Sequence, residues 1–270
     1  MAKAFLYSIC LLATLASCVN SYNVQGSSSL TNLDGRMLYM KGMQDNELHA
    51  MDSCDVIHGE FSFQGALDTV SMVNLFMGDD WLMPFVLEEG PITISISSAR
   101  QFVSGTPLND KLYDFLDKKI RIQNQIQELS HEETQAIMNG VKDMDAVHEH
   151  LIQQAQRLAM ELDKLETKFI TDNFDNILGP SIFETICSNF DYPMLTPQIE
   201  EIMSKATDKF KNNPFVKDFY RIAQENMMTL QGYDMQEDGS TPNPAAAAAP
   251  AYSDPSQSLT DSIGAPMQEP

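Results

Sequence analysis

The sequence predicts an α+β protein: an N-terminal antiparallel β-sandwich, then a helical region, then a disordered C-terminal tail. Three observations carry this. Short apolar runs with a period of two occupy the first third of the chain, separated by turn pairs. A stripe with spacings of three and four follows in the middle. The last 39 residues hold 6 of the 13 prolines and a run of five alanines, with no basic residue. Such a composition cannot bury enough apolar surface to offset ordering.

Residues 18–107 read as the β part. Arg36-Met37-Leu38-Tyr39-Met40 follows the turn pair Asp34-Gly35, and Phe61 and Phe63 alternate with polar residues after His58-Gly59. Val70 to Met77 and Trp81 to Leu87 are apolar runs. Ile92, Ile94 and Ile96 alternate with Thr93, Ser95 and Ser97, which places the isoleucines on one face. Seven or eight short strands at this spacing suggest a sandwich. Residues 108–231 read as helical. Thr106-Pro107 is a capped start for a helix over about 108–129. Val147, Leu151, Ala155, Leu158, Leu162, Leu165 and Phe169 form nearly a heptad seam, on a helix ending near Asn176 before Gly179-Pro180. Shorter helices are expected over about 181–190, 196–211 and 214–230, the second opening on Thr196-Pro197. The seam is expected to pack against neighbouring helices or the sheet; the sharper alternative is a coiled-coil contact with another protein.

Residues 1–17, MAKAFLYSICLLATLAS, have the layout of a secretory signal: Lys3, an apolar stretch too short to span a bilayer, then small residues. Leu15-Ala16-Ser17-Cys18 resembles the lipobox of bacterial lipoproteins. The resemblance implies a diacylglycerol on the Cys18 thiol, cleavage before Cys18 and acylation of its amine. Two or three acyl chains on one residue make a lasting membrane anchor where one gives marginal binding. By resemblance to lipoprotein sorting rules, Val19 in place of an aspartate favours the outer membrane, and the lack of an acidic cluster after Cys18 favours its periplasmic face.

The formal net charge of -21 argues against nucleic-acid binding, which needs clustered Lys and Arg. It equally disfavours adhesion to anionic head groups through protein charge. Of the four cysteines, Cys10 leaves with the signal, Cys18 is the lipidation site, and Cys54 and Cys187 remain. Both are expected to be small core residues; a disulfide between them is the less favoured reading, and catalysis less favoured again. Asp52 and Asp55 beside Cys54 would raise a thiol pKa. His148 and His150 lie two apart on a helix and face different ways; His131-Glu132-Glu133 lacks the second histidine of a zinc-protease motif. His49 and His58 are isolated, so no metal and no cofactor is expected. Asp79-Asp80 and Glu88-Glu89 read as solvated loop carboxylates. No EF-hand, phosphate-binding glycine loop or serine elbow is present. The 17 methionines suit gap-filling in a core better than an adaptable binding surface.

A set of residues carries a family resemblance: Tyr22, Gly26, Asp34-Gly35, Asp52-Ser53, the hairpin pattern Gly59, Phe61, Phe63, Gly65, then Leu87-Glu88-Glu89-Gly90, Ser104-Gly105-Thr106 and Leu108-Asn109. In this order they resemble the domain of unknown function 4369, which stands N-terminal to thioredoxin-like domains of the TlpA/ResA and AhpC/TSA kind in exported bacterial proteins. Phe169, Asn173, Asn176, Gly179, Leu195-Thr196-Pro197 and Asn213-Pro214 extend it into the helices. The resemblance implies fold and compartment. It does not imply oxidoreductase chemistry, because the Pro/Ala tail stands where the thioredoxin-like domain would begin and no Cys-x-x-Cys exists. The expected function is a non-catalytic, lipid-anchored envelope protein that binds an envelope partner or a ligand. The alternative is an accessory to a thiol-disulfide relay with a separate thioredoxin-like protein. The oligomeric state stays open.

Overall fold

In a computed structural model, residues 20–44 and 47–230 are described. The described residues divide into two compact units, the first within Met1–Asp110 and the second within Lys111–Pro270.

The first unit holds eight strands: β1 (Ser21–Ser28), β2 (Met37–Gln44), β3 (Glu47–Asp55), β4 (Glu60–Ala66), β5 (Ser71–Met77), β6 (Asp80–Leu87), β7 (Gly90–Ile96) and β8 (Gln101–Ser104). They form two four-stranded sheets, ordered β4-β1-β7-β8 and β3-β2-β5-β6. Every pairing is antiparallel except β1 with β7. Alternation behaves as the sequence predicts. Ile92, Ile94 and Ile96 are buried and Thr93 and Ser95 exposed, and Phe61 and Phe63 are buried between exposed neighbours. With Val24, Leu38, Met40, Val73, Leu75, Met83 and Phe85 they make the core of the unit. Strand β3 has no such signal in the sequence, because Glu47–Met51 is exposed on both faces. It lies at a sheet edge with a register shift against β2 between Met40 and Lys41, an irregularity that blunts an open edge.

Helix α1 (Pro107–Met138) starts where expected and runs nine residues beyond Leu129. It stops at a Schellman turn: Gly140, at φ 63°, donates to the Ile137 carbonyl at 3.0 Å and Val141 to that of Ala136 at 3.1 Å. Asp143 then caps α2 (Met144–Asp172), its carboxylate accepting from the Ala146 amide at 3.1 Å.

The predicted seam of α2 packs on α1. Leu151 and Leu158 are buried with Ile122 and Leu129; Val147, Ala155, Leu162 and Leu165 pack around them with Ile126. Phe169 stacks on Phe115 with ring centroids 4.1 Å apart.

Helix α2 ends four residues before Asn176, and Gly179-Pro180 sit inside the next helix, α3 (Leu178–Cys187), rather than ahead of it. Pro180 falls in a first turn, where its missing N–H costs nothing. A Cβ on Gly179 would stand 2.4 Å from the Asn173 carbonyl oxygen, so only glycine lets α3 turn this close to the end of α2.

The helix expected over 196–211 is two: α4 (Pro197–Lys205) and α5 (Asp208–Lys211). Thr196 caps the first as predicted. Thr207 caps the second, accepting from the Phe210 amide at 3.3 Å, and this alternative partner for the backbone breaks the run at Ala206. Helix α6 (Pro214–Leu230) closes the unit. Phe183 is its centre, with ring centroids of Phe210, Phe215 and Phe219 at 5.4, 6.5 and 5.9 Å.

Candidate functional site

The candidate site residues fall in different units or outside the described residues. Cys18, its signal segment and the 231–270 tail lie outside them. Cys54 is half-buried in the first unit, Cys187 buried in the second, and both thiols are free. Burial pushes the Cys54 thiol up to about 11, with Asp52 and Asp55 adding to the effect. Burial, aided by Glu184, raises Cys187 as well. Both therefore stand as protonated thiols at neutral pH, the unreactive form. His49, His58, His131, His148 and His150 are all exposed. Among the described residues His148 pairs with Glu133, at 2.9 Å. Among the described residues no group of three His, Cys, Asp or Glu could hold a metal ion, and no helix is long and apolar enough to cross a membrane.

The motif residues of the first unit do meet, but as scaffold. In the β1–β4 ladder Tyr22 lies opposite Gly65 and Gly26 opposite Phe61. A Cβ on Gly26 would lie 2.0 Å from the Phe61 ring, and one on Gly65 2.6 Å from the Tyr22 hydroxyl. Each ring thus covers its partner glycine, the pairing known as aromatic rescue. The Tyr22 hydroxyl donates to Asp52 at 3.3 Å. His58 and Gly59, both at positive φ, make the tight turn into β4, and Asp34 accepts from the Gly59 amide at 3.2 Å.

The second cluster corrects the reading of Glu88 as a solvated carboxylate. Glu88 is 7% exposed and accepts from the amides of Leu108 at 2.8 Å and Asn109 at 3.1 Å. It neutralises the positive N-terminus of α1. Asn109, fully buried, accepts from the Val86 amide at 2.8 Å and donates to the Val86 carbonyl at 2.7 Å and the Thr106 hydroxyl at 2.9 Å. Its carboxamide does for the edge of β6 what a neighbouring strand would do. Gly105, at φ 98°, sits where a Cβ would meet the Pro91 carbonyl oxygen at 2.4 Å.

A family model described as Domain of unknown function (DUF4369) matches residues 22–112. Residues 22–112 are a DUF4369 domain. The match begins at Tyr22 and ends just past Asn109, so it spans both scaffold clusters. The helical residues from Phe169 to Pro214 that extended the resemblance lie outside it. No curated protein matches the chain. Within the DUF4369 domain the motif therefore encodes glycine–aromatic pairs, a turn and a helix latch, and places no reactive side chain in a cleft. A shallow hollow of about 240 Å3 lies in the domain, lined by Arg36, Met37, Tyr39, Met77, Gly78 and Asp80. Beside it Lys41 lies 4.4 Å from the Phe76 ring centroid and donates to the Gly78 carbonyl at 3.3 Å, a packed cation rather than a free one.

Two surfaces beyond the DUF4369 domain escaped the sequence reading. The first is the arm made by α1 and α2. From the ion pair of Lys119 with buried Glu166, 3.1 Å long, it reaches about 29 Å to its turn at 1.5 Å per residue. Over that length each helix buries one stripe, against the other. Its turn is apolar: Met138 is 81% exposed, Ile137 62% and Val141 41%. The second is a groove of about 510 Å3 lined by Met203, Lys211, Lys217, Tyr220, Arg221 and Gln224.

Proposed function

We propose that this is a non-catalytic, lipid-anchored protein of the bacterial cell envelope whose body binds a protein partner. The observation that carries the reading is the arm: two long helices with one mutual seam, and three apolar side chains offered to solvent at the turn. Exposed apolar side chains gathered at one point mark an interaction site. The acidic, polar flanks of the turn, Glu132, Glu133, Asp143 and Asp145, suit a protein groove better than an anionic bilayer surface. The anchor rests on the signal layout and the lipobox ending at Cys18, and the periplasmic face of the outer membrane on the residues after it. The thiol-relay alternative draws no support from Cys54 and Cys187, whose raised pKa values disfavour attack on a disulfide.

The test has two parts. A photo-crosslinking residue at Met138, in intact cells, is expected to capture one defined envelope protein that the same residue at exposed Tyr192 does not. Growth on a labelled fatty acid is expected to label the mature chain and not its Cys18→Ser variant. Identical capture at both positions would refute the arm as the binding element, and absence of label would refute the anchor.

A further inference from the structure

The groove on α4, α5 and α6 is out of keeping with the chain's charge. The chain has a net charge of -21, yet this wall presents Lys211, Lys217 and Arg221 over a floor that includes Met203 and Tyr220. Arg221 is held by Glu225 at 2.9 and 3.1 Å. Lys211 and Lys217 are exposed and make no ion pair among the described residues. A cationic rim over an apolar floor calls for a peptide that alternates acidic and apolar side chains.

That pattern follows α6 directly in the sequence: Tyr233-Asp234-Met235-Gln236-Glu237-Asp238, ahead of the first tail proline, Pro242. The whole segment 232–270 carries six acidic residues and no basic one. We infer that the groove is a site for an acidic peptide and that its occupant is the chain's own residues 233–238, folded back along α6.

Reach permits it. Lys217 lies 13 residues before Leu230, about 20 Å back along the helix axis. Glu237 and Asp238, seven and eight residues past Leu230, reach at most about 25–29 Å. Asp234 reaches about 14 Å, the level of Arg221. Energetics select a tethered occupant over a free one. Exposed ion pairs are weak singly, so two or three of them would not hold a separate peptide at ordinary concentration. A segment joined through a few residues experiences an effective concentration on the order of millimolar, enough to populate a weak site. The inference is independent of the arm and of the anchor.

Zero-length carbodiimide crosslinking of the full chain, mixed one to one with a uniformly 15N-labelled copy, tests it. The expected products are bonds from Lys211 or Lys217 to Glu237, Asp238 or Asp234 within one chain. Their yield should fall at least fivefold in 0.5 M salt and in the Glu237→Lys, Asp238→Lys variant. The same variant should bind an added fluorescent peptide of sequence 231–240 at least tenfold more tightly than the unaltered chain, because its groove is vacated. Crosslinks from these lysines only to Asp218, Glu225 or other carboxylates of the described body would overturn the proposal. So would crosslinks only between labelled and unlabelled chains, or equal peptide binding by both proteins.

Discussion

Replacing Asn109 by alanine should strip β6 of its surrogate neighbour. The side chain is fully buried and holds both the N–H and the C=O of Val86, at 2.8 and 2.7 Å. Alanine leaves one donor and one acceptor without partners in a place water does not reach. Each orphaned group costs about 1–3 kcal/mol, so the variant should lose about 2–6 kcal/mol, with about 3 kcal/mol as the working value. Aspartate has the same shape but not the same chemistry. It can accept from Val86 but cannot donate to the Val86 carbonyl, and it would set a second carboxylate against Glu88, whose oxygen lies 3.5 Å from the Asn109 amide nitrogen. Asn109→Asp should therefore be at least as damaging as alanine. The chain has one tryptophan, Trp81 on β6, so its fluorescence during urea unfolding reports the first unit directly. With a slope of about 1.5 kcal/mol per molar urea, a loss of 3 kcal/mol moves the midpoint down by about 2 M. A shift below about 0.5 M for alanine, or an aspartate variant as stable as the unaltered protein, would refute the latch.

Other outcomes follow from the same geometry. Gly26→Ala should cost about 1–3 kcal/mol by forcing the Phe61 ring aside, and Phe61→Leu should relieve part of it; additive losses in the same urea assay would contradict the pairing. Leu151→Ala should remove hydrogen-exchange protection along the arm while leaving the Trp81 transition unmoved, since the seam is the arm's own buried surface. Lys119→Ala should destabilise the second unit by about 3 kcal/mol in thermal unfolding by stranding buried Glu166, whereas Lys119→Met with Glu166→Leu should come close to neutral; equal damage from both would argue against burial as the cause. Iodoacetamide should modify Cys54 about two orders of magnitude more slowly at pH 8 than an unperturbed thiol. Because its pKa is raised to about 11, its rate should climb about tenfold per pH unit from 8 to 10; a plateau near pH 8.5 would show an ordinary thiol.

Much of this was legible in the residues. The isoleucine alternation of β7, the turn at His58-Gly59 and the cap at Thr196 each express a local rule that tertiary context did not override. The helix boundaries that moved did so for local reasons of another kind. Thr207 offered the backbone a second cap, and Gly179 allowed a corner tighter than a proline-based stop suggests. Strand β3 was unreadable because an edge strand exposed on both faces has no alternation to display. Glu88 was unreadable because the amides it serves lie twenty residues away in sequence, at the start of α1. The cationic groove was hidden for the same reason, since it gathers residues from three helices; the arm's apolar turn is local in sequence, but its exposure shows only once the ends of α1 and α2 are placed.

Strand β1 begins at Ser21 and sits inside its sheet, between β4 and β7. Only Val19 and Asn20 separate it from Cys18, and the Asn20 carbonyl already accepts from the Leu67 amide at 2.8 Å. If Cys18 carries lipid, the leash is about 10 Å at full stretch. Such a protein has almost no slack: the DUF4369 domain would ride against the lipid head groups, and lengthening that stretch by a dozen Gly/Ser residues should free it to swing. Anything the first unit touches must then be found close to the bilayer surface or brought there by a second molecule.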